Sequence, residues 1–368
     1  MNKTIKVLHV LGELKPSGAE SMFCVAAPLF FAEGVNAEIV ATGPNLGIYA
    51  PELAKAGYKL HHIPFSKSPR FLTRLYTLMR AGKYDVLHLH TERASFWIGL
   101  VALAARPSLV LRTIHNNFTF RGRLRLVRMA QRRILQRLGL VHVSIGASVK
   151  KTELIHFGLK TRVVSNWYDS NRFVAPSAAE RSLARESLGI AGSETVLVTV
   201  GNCSKIKNHA ALIEAIARLP VGVRPLYLHA GIEEAGQPER KLATQLGIAE
   251  RIRFLGPLAD VLPVLHAADI FVMPSLVEGF SIAALEALAT GLPAIFSDVP
   301  GLRDLRSTYV GLCYTRPDSA ALCDALAVLM AESNEQRRTR AKGYPEISQH
   351  FFGIAKGVAS YTDIYQGH

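Results

Sequence analysis

Glu278 and Glu286 lie in the stretch Met273-Pro-Ser-Leu-Val-Glu-Gly-Phe-Ser-Ile-Ala-Ala-Leu-Glu-Ala-Leu-Ala-Thr-Gly-Leu-Pro293, which closes one apolar run and opens another. A strand is predicted to end near Met273, a loop to carry Glu278, and a helix to start about Ser281. The amides of Gly279, Phe280 and Ser281 then fall at a helix N-terminus, where no carbonyl of that helix takes them and the positive dipole end stands behind them. Such a place binds an anion and suits a phosphate. Two turns into the helix, Glu286 has Ala283, Ala284, Leu285, Ala287, Leu288 and Ala289 as neighbours, and a carboxylate in that setting is costly without a partner. Acceptor-only carboxylates at 278 and 286 are suited to the hydroxyls of a sugar or ribose.

A second chemistry is carried by charge. Residues 1 to 172 hold 25 Lys and Arg against 9 Asp and Glu, while the remainder holds 18 against 20, so the net charge of +14 belongs to the first half. Such asymmetry suggests that one half faces a polyanion. The densest segment, Arg121 to Arg137, has seven Arg and no acid. At 100° per residue, Leu124, Val127, Ala130, Ile134, Leu135 and Leu138 fall on one side and most of the arginines on the others, which describes a basic amphipathic helix. Its stripe either packs on its own domain or rests on anionic lipid headgroups, with Arg121, Arg123, Arg125, Arg128, Arg132 and Arg133 as the membrane- or acceptor-facing residues. Nucleic acid is not expected, because no recognition motif accompanies the patch.

The elements that must position these residues follow a regular rhythm. Strand-length apolar runs at 5–11, 37–41, 86–89, 109–114 and 140–145 alternate with helix-length segments at 18–33, 70–81, 94–105 and 123–138. The rhythm restarts after residue 190, with strands near 195–200, 224–230, 252–255, 270–273 and 293–296 and helices near 208–219, 237–246, 260–266, 281–290 and 319–331. Strand–helix alternation of this kind predicts parallel sheets covered on both faces, here two doubly wound α/β domains. The irregular polar stretch Ser165 to Ala179 reads as the linker. Ligands of such sheets bind beyond the carboxyl ends of the strands, so a cleft between two facing domains is the expected site.

Composition excludes other classes. With 368 residues, 49% hydrophobic and 20% charged, the chain can bury sizeable cores and is neither disordered nor fibrous. Its longest apolar run, Ala94 to Ala105, is broken by Ser95 and is too short to span a bilayer, which takes about 18 to 20 residues. Lys3 and Lys6 precede only a short apolar stretch ending at Gly12, so no secretory leader is expected and the cytoplasm is the expected compartment. Cys24, Cys203, Cys313 and Cys323 show no metal-ligand spacing and read as reduced, mostly buried thiols.

The Glu278–Glu286 stretch resembles the Glu-x7-Glu motif of retaining nucleotide-sugar glycosyltransferases of the GT-B fold, family 4 (glycosyl transferases group 1), of the bacterial cell-surface polysaccharide type. Lys15-Pro-Ser-Gly18-Ala-Glu20 resembles the family's glycine-containing loop near the donor phosphates. Asp85-Val-Leu-His88-Leu-His90 and Arg112-Thr-Ile-His115-Asn116 resemble its other first-domain signatures. Ser165-Asn166-Trp167-Tyr168-Asp169 stands where the family has Asn-Gly-Val-Asp, and Gly201-Asn202-Cys203-Ser204-Lys205-Ile206-Lys207-Asn208 resembles its phosphate loop. Asn202 departs from that pattern, which has Arg there, so one of two diphosphate-neutralising charges is missing and Lys205 is the expected substitute. Phe351 to Tyr365 resembles the last helices, which cross back to the first domain.

The resemblance implies an acceptor-binding domain of residues 1–170 with 351–368, and a donor-binding domain of residues 171–350. It implies transfer of a sugar from a nucleoside-diphosphate sugar to a glycan or glycolipid acceptor at the cytoplasmic face of the inner membrane, in polysaccharide or lipopolysaccharide biosynthesis. The enzyme would be peripheral on that membrane. The implied donor-binding set is Gly18, Asn202, Lys205, Lys207, Glu278, Gly279, Phe280, Ser281 and Glu286, with His115, Lys207 and Glu278 as the catalytic residues. Lys207 and the Gly279–Ser281 amides neutralise the leaving diphosphate, Glu278 holds sugar hydroxyls, Glu286 the ribose, and His115 the sugar's primary-hydroxyl side. No metal or other cofactor is expected, since no Asp-x-Asp sits at a strand end. The competing readings are a degenerate homologue that only binds or scaffolds, and a nucleic-acid binder on the basic face.

Overall fold

The computed structural model describes residues 4–367, so Lys3 of the N-terminal reading lies outside them. The chain divides into two compact units: one runs to Trp167 and resumes at Ile354, and the other spans Tyr168–Gly353.

The first unit is built on seven strands: β1 (Ile5–Leu11), β2 (Val35–Ala41), β3 (Lys59–His62), β4 (Val86–Leu89), β5 (Leu109–Ile114), β6 (Val141–Ser144) and β7 (Arg162–Val163). They lie in the order β3-β2-β1-β4-β5-β6-β7, all parallel. Helices cover the faces, so the central strands are buried on both sides and read as unbroken apolar runs. The order reverses between β1 and β4, the place where the loops of such a sheet turn to opposite faces.

The second unit repeats the plan with β8 (Val196–Val200), β9 (Leu226–Ala230), β10 (Ile252–Gly256), β11 (Ile270–Met273), β12 (Ala294–Ser297) and β13 (Cys313–Thr315), in the order β10-β9-β8-β11-β12-β13. Its pairings are parallel too, and its switch point falls between β8 and β11. One core packs Leu197, Leu212, Ile216, Tyr227, Ile270, Ile295 and Leu326 between the sheet and two helices.

The passage between units is not a loose linker. Trp167 is buried, its Nε1 donates to the Met22 carbonyl (3.2 Å), and its ring packs on Tyr361 of the helix Ile354–Gln366. That helix also supplies Gly357, where a Cβ would lie 2.1 Å from the Trp167 ring, so glycine is needed for the contact. Among the described residues, no helix is long and apolar enough to cross a membrane. Of the four thiols expected to be mostly buried, only Cys203 is; Cys24, Cys313 and Cys323 are partly exposed.

The basic segment forms the helix Gly122–Arg137, but its two faces differ from the sequence reading. Leu124, Leu126, Val127, Ile134 and Leu138 are 41–59% exposed, so most of the apolar stripe is not used by its own domain. Arg132, grouped with the outward arginines, is instead buried. Its Nε donates to Glu153 (3.0 Å), its Nη2 to Glu92 (3.2 Å), and Glu92 also takes buried Arg112. Glu153 sits on the neighbouring helix and Glu92 after β4, and these two inward carboxylates draw the guanidinium off the surface. Arg128 is half-buried against Phe120, and Arg133 donates to the Phe157 carbonyl, capping the next helix. Arg121, Arg123 and Arg125 remain exposed.

Candidate donor site and the family

The second unit's switch point brings together residues far apart in sequence. The loop after β8 carries Lys207 and the loop after β11 carries Glu278; Lys207 Nζ lies 2.5 Å from Glu278 Oε1. The Ser275 hydroxyl donates to the same oxygen (2.8 Å). Backbone bonds join the loops as well: the Leu276 amide donates to the Ile206 carbonyl (2.7 Å), and Asn208 Nδ2 to the carbonyls of Pro274 (3.0 Å) and Pro317 (2.8 Å). Neither Ser275 nor Asn208 was given a role from sequence. The one signal for Asn208 is its place ahead of the helix His209–Arg218, where its left-handed φ of 59° suits asparagine better than most residues.

The expected helix begins one residue later than its sequence reading, at Ile282, with Ser281 as N-cap; its hydroxyl accepts from the Ala284 amide (3.3 Å). Gly279, Phe280 and Ser281 therefore stand where the helix dipole opens, and Phe280 is held in place against Phe352. Behind them runs Gly301, where a Cβ would meet the Gly279 carbonyl oxygen at 2.1 Å and that of Glu278 at 2.4 Å, so the loop carrying Glu278 rests on bare backbone.

Glu286 departs from the acceptor-only reading. Burial pushes its carboxyl up to about 8, with Asp169 and Asp260 adding to the rise and Arg172 opposing it. At neutral pH it carries a proton and can donate as well as accept. Since the folded value lies above the ordinary one of 4.5, this group favours folding fully below pH about 4.5, and the contribution is lost as pH rises through about 8. Glu286→Gln is therefore expected to melt close to wild type at pH 5 and increasingly above it by pH 9, by on the order of 2 kcal/mol. A gap independent of pH in melts followed by circular dichroism overturns this.

Asn202 does not take the place of a cation. Its Oδ1 accepts from the Ile232 amide (2.9 Å), tying the phosphate loop to the turn after β9, while Lys205 is exposed on the same loop.

In the first unit, Gly18 opens the helix Gly18–Ala32 and is exposed. His115 follows β5, and its Nε2 lies 3.0 Å from Nδ1 of His90, which follows β4; His90 Nε2 in turn lies 3.1 Å from Nδ1 of His9 on β1. His9 was hidden from sequence reading by its apolar strand. Burial holds His115 down to about 4, helped by Arg112, and His90 well below the usual range, so the three form a chain of neutral imidazoles. His88 points inward to Tyr365 (2.7 Å) and Thr113 (2.8 Å) and serves the fold.

Two family models match: Glycosyltransferase Family 4 over residues 17–201 and Glycosyl transferases group 1 over residues 180–345. The chain belongs to glycosyltransferase family 4. Similar proteins include the putative glycosyltransferase EpsF of Bacillus subtilis, 27% identical over 325 residues, 81% of this chain and 80% of EpsF. Another is the Escherichia coli UDP-Gal:alpha-D-GlcNAc-diphosphoundecaprenol alpha-1,3-galactosyltransferase, 27% identical over 322 residues, 83% of this chain and 81% of that protein. Among solved structures, HepE of Anabaena in complex with UDP and glucose superposes with a TM-score of 0.83 at 20% identity, over 99% of this chain and 100% of HepE. The fold of this glycosyltransferase is GT-B, and in it Lys207 and Glu278 lie on the loops after β8 and β11 of the second sheet, with Glu286 on the helix that follows.

Proposed function

We propose that this glycosyltransferase takes a sugar from a nucleoside-diphosphate donor, with retention of anomeric configuration, and transfers it to a lipid-linked glycan in the assembly of a cell-surface polysaccharide. The observation that carries the donor assignment is the Lys207–Glu278 pair at the β8–β11 switch point, beside the N-terminus of the helix Ile282–Ala289. As the sugar–phosphate bond breaks, charge grows on the departing diphosphate, and a fixed ammonium and helix dipole already aimed there lower the barrier. Glu278, with Oε1 on Lys207 and Ser275, serves the sugar hydroxyls, while Glu286 serves the ribose. The retaining assignment rests on the Glu278–Glu286 spacing. HepE holds UDP and glucose, which makes a uridine donor the first to try.

Thermal shift against UDP-, GDP-, ADP- and dTDP-sugars tests this reading. A ligand that binds only the folded state raises the melting temperature. One nucleotide class is expected to do so, with the shift lost in Glu286→Ala; no shift with any donor overturns it.

The acceptor assignment is supported by the E. coli relative, whose acceptor is a diphosphoundecaprenol-linked sugar, and by the helix Gly122–Arg137, which exposes arginines and apolar side chains together. That combination fits a peripheral position on anionic lipid at the cytoplasmic face. With each basic residue worth about 1 kcal/mol near such a surface, Arg121→Gln/Arg123→Gln/Arg125→Gln is expected to weaken binding to phosphatidylglycerol-containing vesicles by roughly a hundredfold, without lowering stability. Unchanged vesicle binding removes the membrane role.

A further inference from the structure

Beneath the phosphate loop, three side chains that sequence spacing does not connect come together. Cys203 lies on the loop after β8, His209 opens the helix His209–Arg218, and His229 lies on β9; all three are buried. Cys203 Sγ is 3.4 Å from His229 Nε2, the two imidazole rings are 4.7 Å apart, and one ligand atom from each residue lies within 4.8 Å of the others. A divalent ion held at about 2.3 Å from sulfur and 2.0–2.1 Å from nitrogen needs ligand atoms some 3.3–3.7 Å apart in a tetrahedron. His229 Nε2 faces the Gly201 carbonyl oxygen at 2.9 Å, so Nδ1 is the nitrogen it has for an ion.

Two further features point to an ion. His209 Nε2 and His229 Nδ1 are buried with no hydrogen-bond partner among the described residues, which is costly for a polar atom out of water. Glu239, buried in the first turn of the helix Pro238–Gln245, has an unpartnered Oε2 and bears electrostatically on the Cys203 thiol. The first unit's group of His9, His88 and His90 has most of its nitrogens engaged with one another, Tyr365 and Thr113. In the second unit's group His209 Nδ1 faces the Tyr227 hydroxyl and His229 Nε2 the Gly201 carbonyl, and the other nitrogen of each ring has no such partner.

We propose that Cys203, His209 and His229 form a site for a thiolate- and imidazole-preferring divalent ion such as Zn2+, with Glu239 balancing its charge. The ligand set selects against Mg2+ and Ca2+, which take oxygen. A metal takes the Cys203 sulfur as thiolate. Binding therefore forms the metal–sulfur bond and releases the thiol proton to solvent. An ion here ties the loop bearing Lys205 and Lys207 to β9.

The test is Co2+ titration of the chelator-treated full chain, alongside Cys203→Ser and the triple variant Cys24→Ser/Cys313→Ser/Cys323→Ser, in which Cys203 is the one remaining thiol. Wild type and the triple variant are expected to bind one equivalent of Co2+ with thiolate-to-cobalt charge-transfer absorption, to release one proton per ion, and to lose the absorption on adding Zn2+. Cys203→Ser is expected to lack that absorption, and His229→Gln to weaken Co2+ binding by more than about tenfold, the loss that even supporting partners of ligands cause. Absence of charge transfer in the triple variant overturns the proposal, as does its persistence in folded Cys203→Ser. If Cys203→Ser does not fold, the triple variant decides alone.

Discussion

Arg132→Met is expected to lower the stability of the first unit by about 3–5 kcal/mol, although it removes one of six arginines from a helix that looks solvated. The cost comes from what remains. Glu153 is fully buried, and Arg132 Nε at 3.0 Å is its bonded cation. Burial already raises the Glu153 carboxyl against the pull of Arg132 and Arg112, so desolvation outweighs attraction even with the pair intact. Without Arg132, Glu153 either keeps an uncompensated charge in the core or takes a proton, and the loss is therefore expected to be smaller at pH 5 than at pH 8. Arg132→Met/Glu153→Met removes both charges and is expected to recover much of the loss, because the desolvation cost goes with them. Arg121→Met, on the exposed end, is expected to fall within about 0.5 kcal/mol of wild type. Both tryptophans, Trp97 and Trp167, belong to the first unit, so urea unfolding followed by tryptophan fluorescence reads it separately. Arg132→Met unfolding at the wild-type midpoint would mean that the buried network does not hold this helix.

That residue also marks a limit of sequence reading. Helical periodicity separates apolar from polar positions, and it correctly put Leu135 inward. It gives Arg132 and Arg133 the same standing, because what distinguishes them is Glu92, 40 positions earlier, and Glu153, 21 positions later. The central strands were legible for the opposite reason: a parallel strand buried on both faces writes its own apolar run, as in Ile5–Leu11 and Leu109–Ile114. Strand β3, Lys-Leu-His-His at the sheet edge, is only half covered and carries no such run; β7 spans two residues. The helix Ala147–Phe157 was missed because its polar and apolar residues are not sorted onto faces. At the candidate site, Glu278, Glu286 and Lys207 are picked out by the spacing of a motif, whereas the bond between Lys207 and Glu278 is made by topology, since β8 and β11 are neighbours only through the switch in strand order.

Lys207→Ala is expected to lower kcat/KM for sugar transfer by roughly a hundred- to a thousandfold, the cost of removing one preorganised group aimed at developing charge. The structure makes the effect specific in a way that a general loss of positive charge is not. Lys207 is held by Glu278, which is itself held by Ser275, on two loops joined through Ile206, Leu276 and Asn208. The ammonium is thus fixed before donor arrives, and reorganisation is avoided when the diphosphate departs. It follows that Lys207 and Glu278 are coupled: Lys207→Ala/Glu278→Gln is expected to cost less than the product of the two single losses, because part of what Glu278 does is to hold Lys207 and the remainder is its own contact with sugar hydroxyls. Lys205→Ala, exposed and without that support, is expected to cost about tenfold at most. The measurement is nucleotide release from the donor identified by thermal shift, with kcat and KM separated. Equal losses from Lys205→Ala and Lys207→Ala would point to diffuse attraction by the loop, and additive losses from Lys207 and Glu278 would mean that the pair does not work as one device.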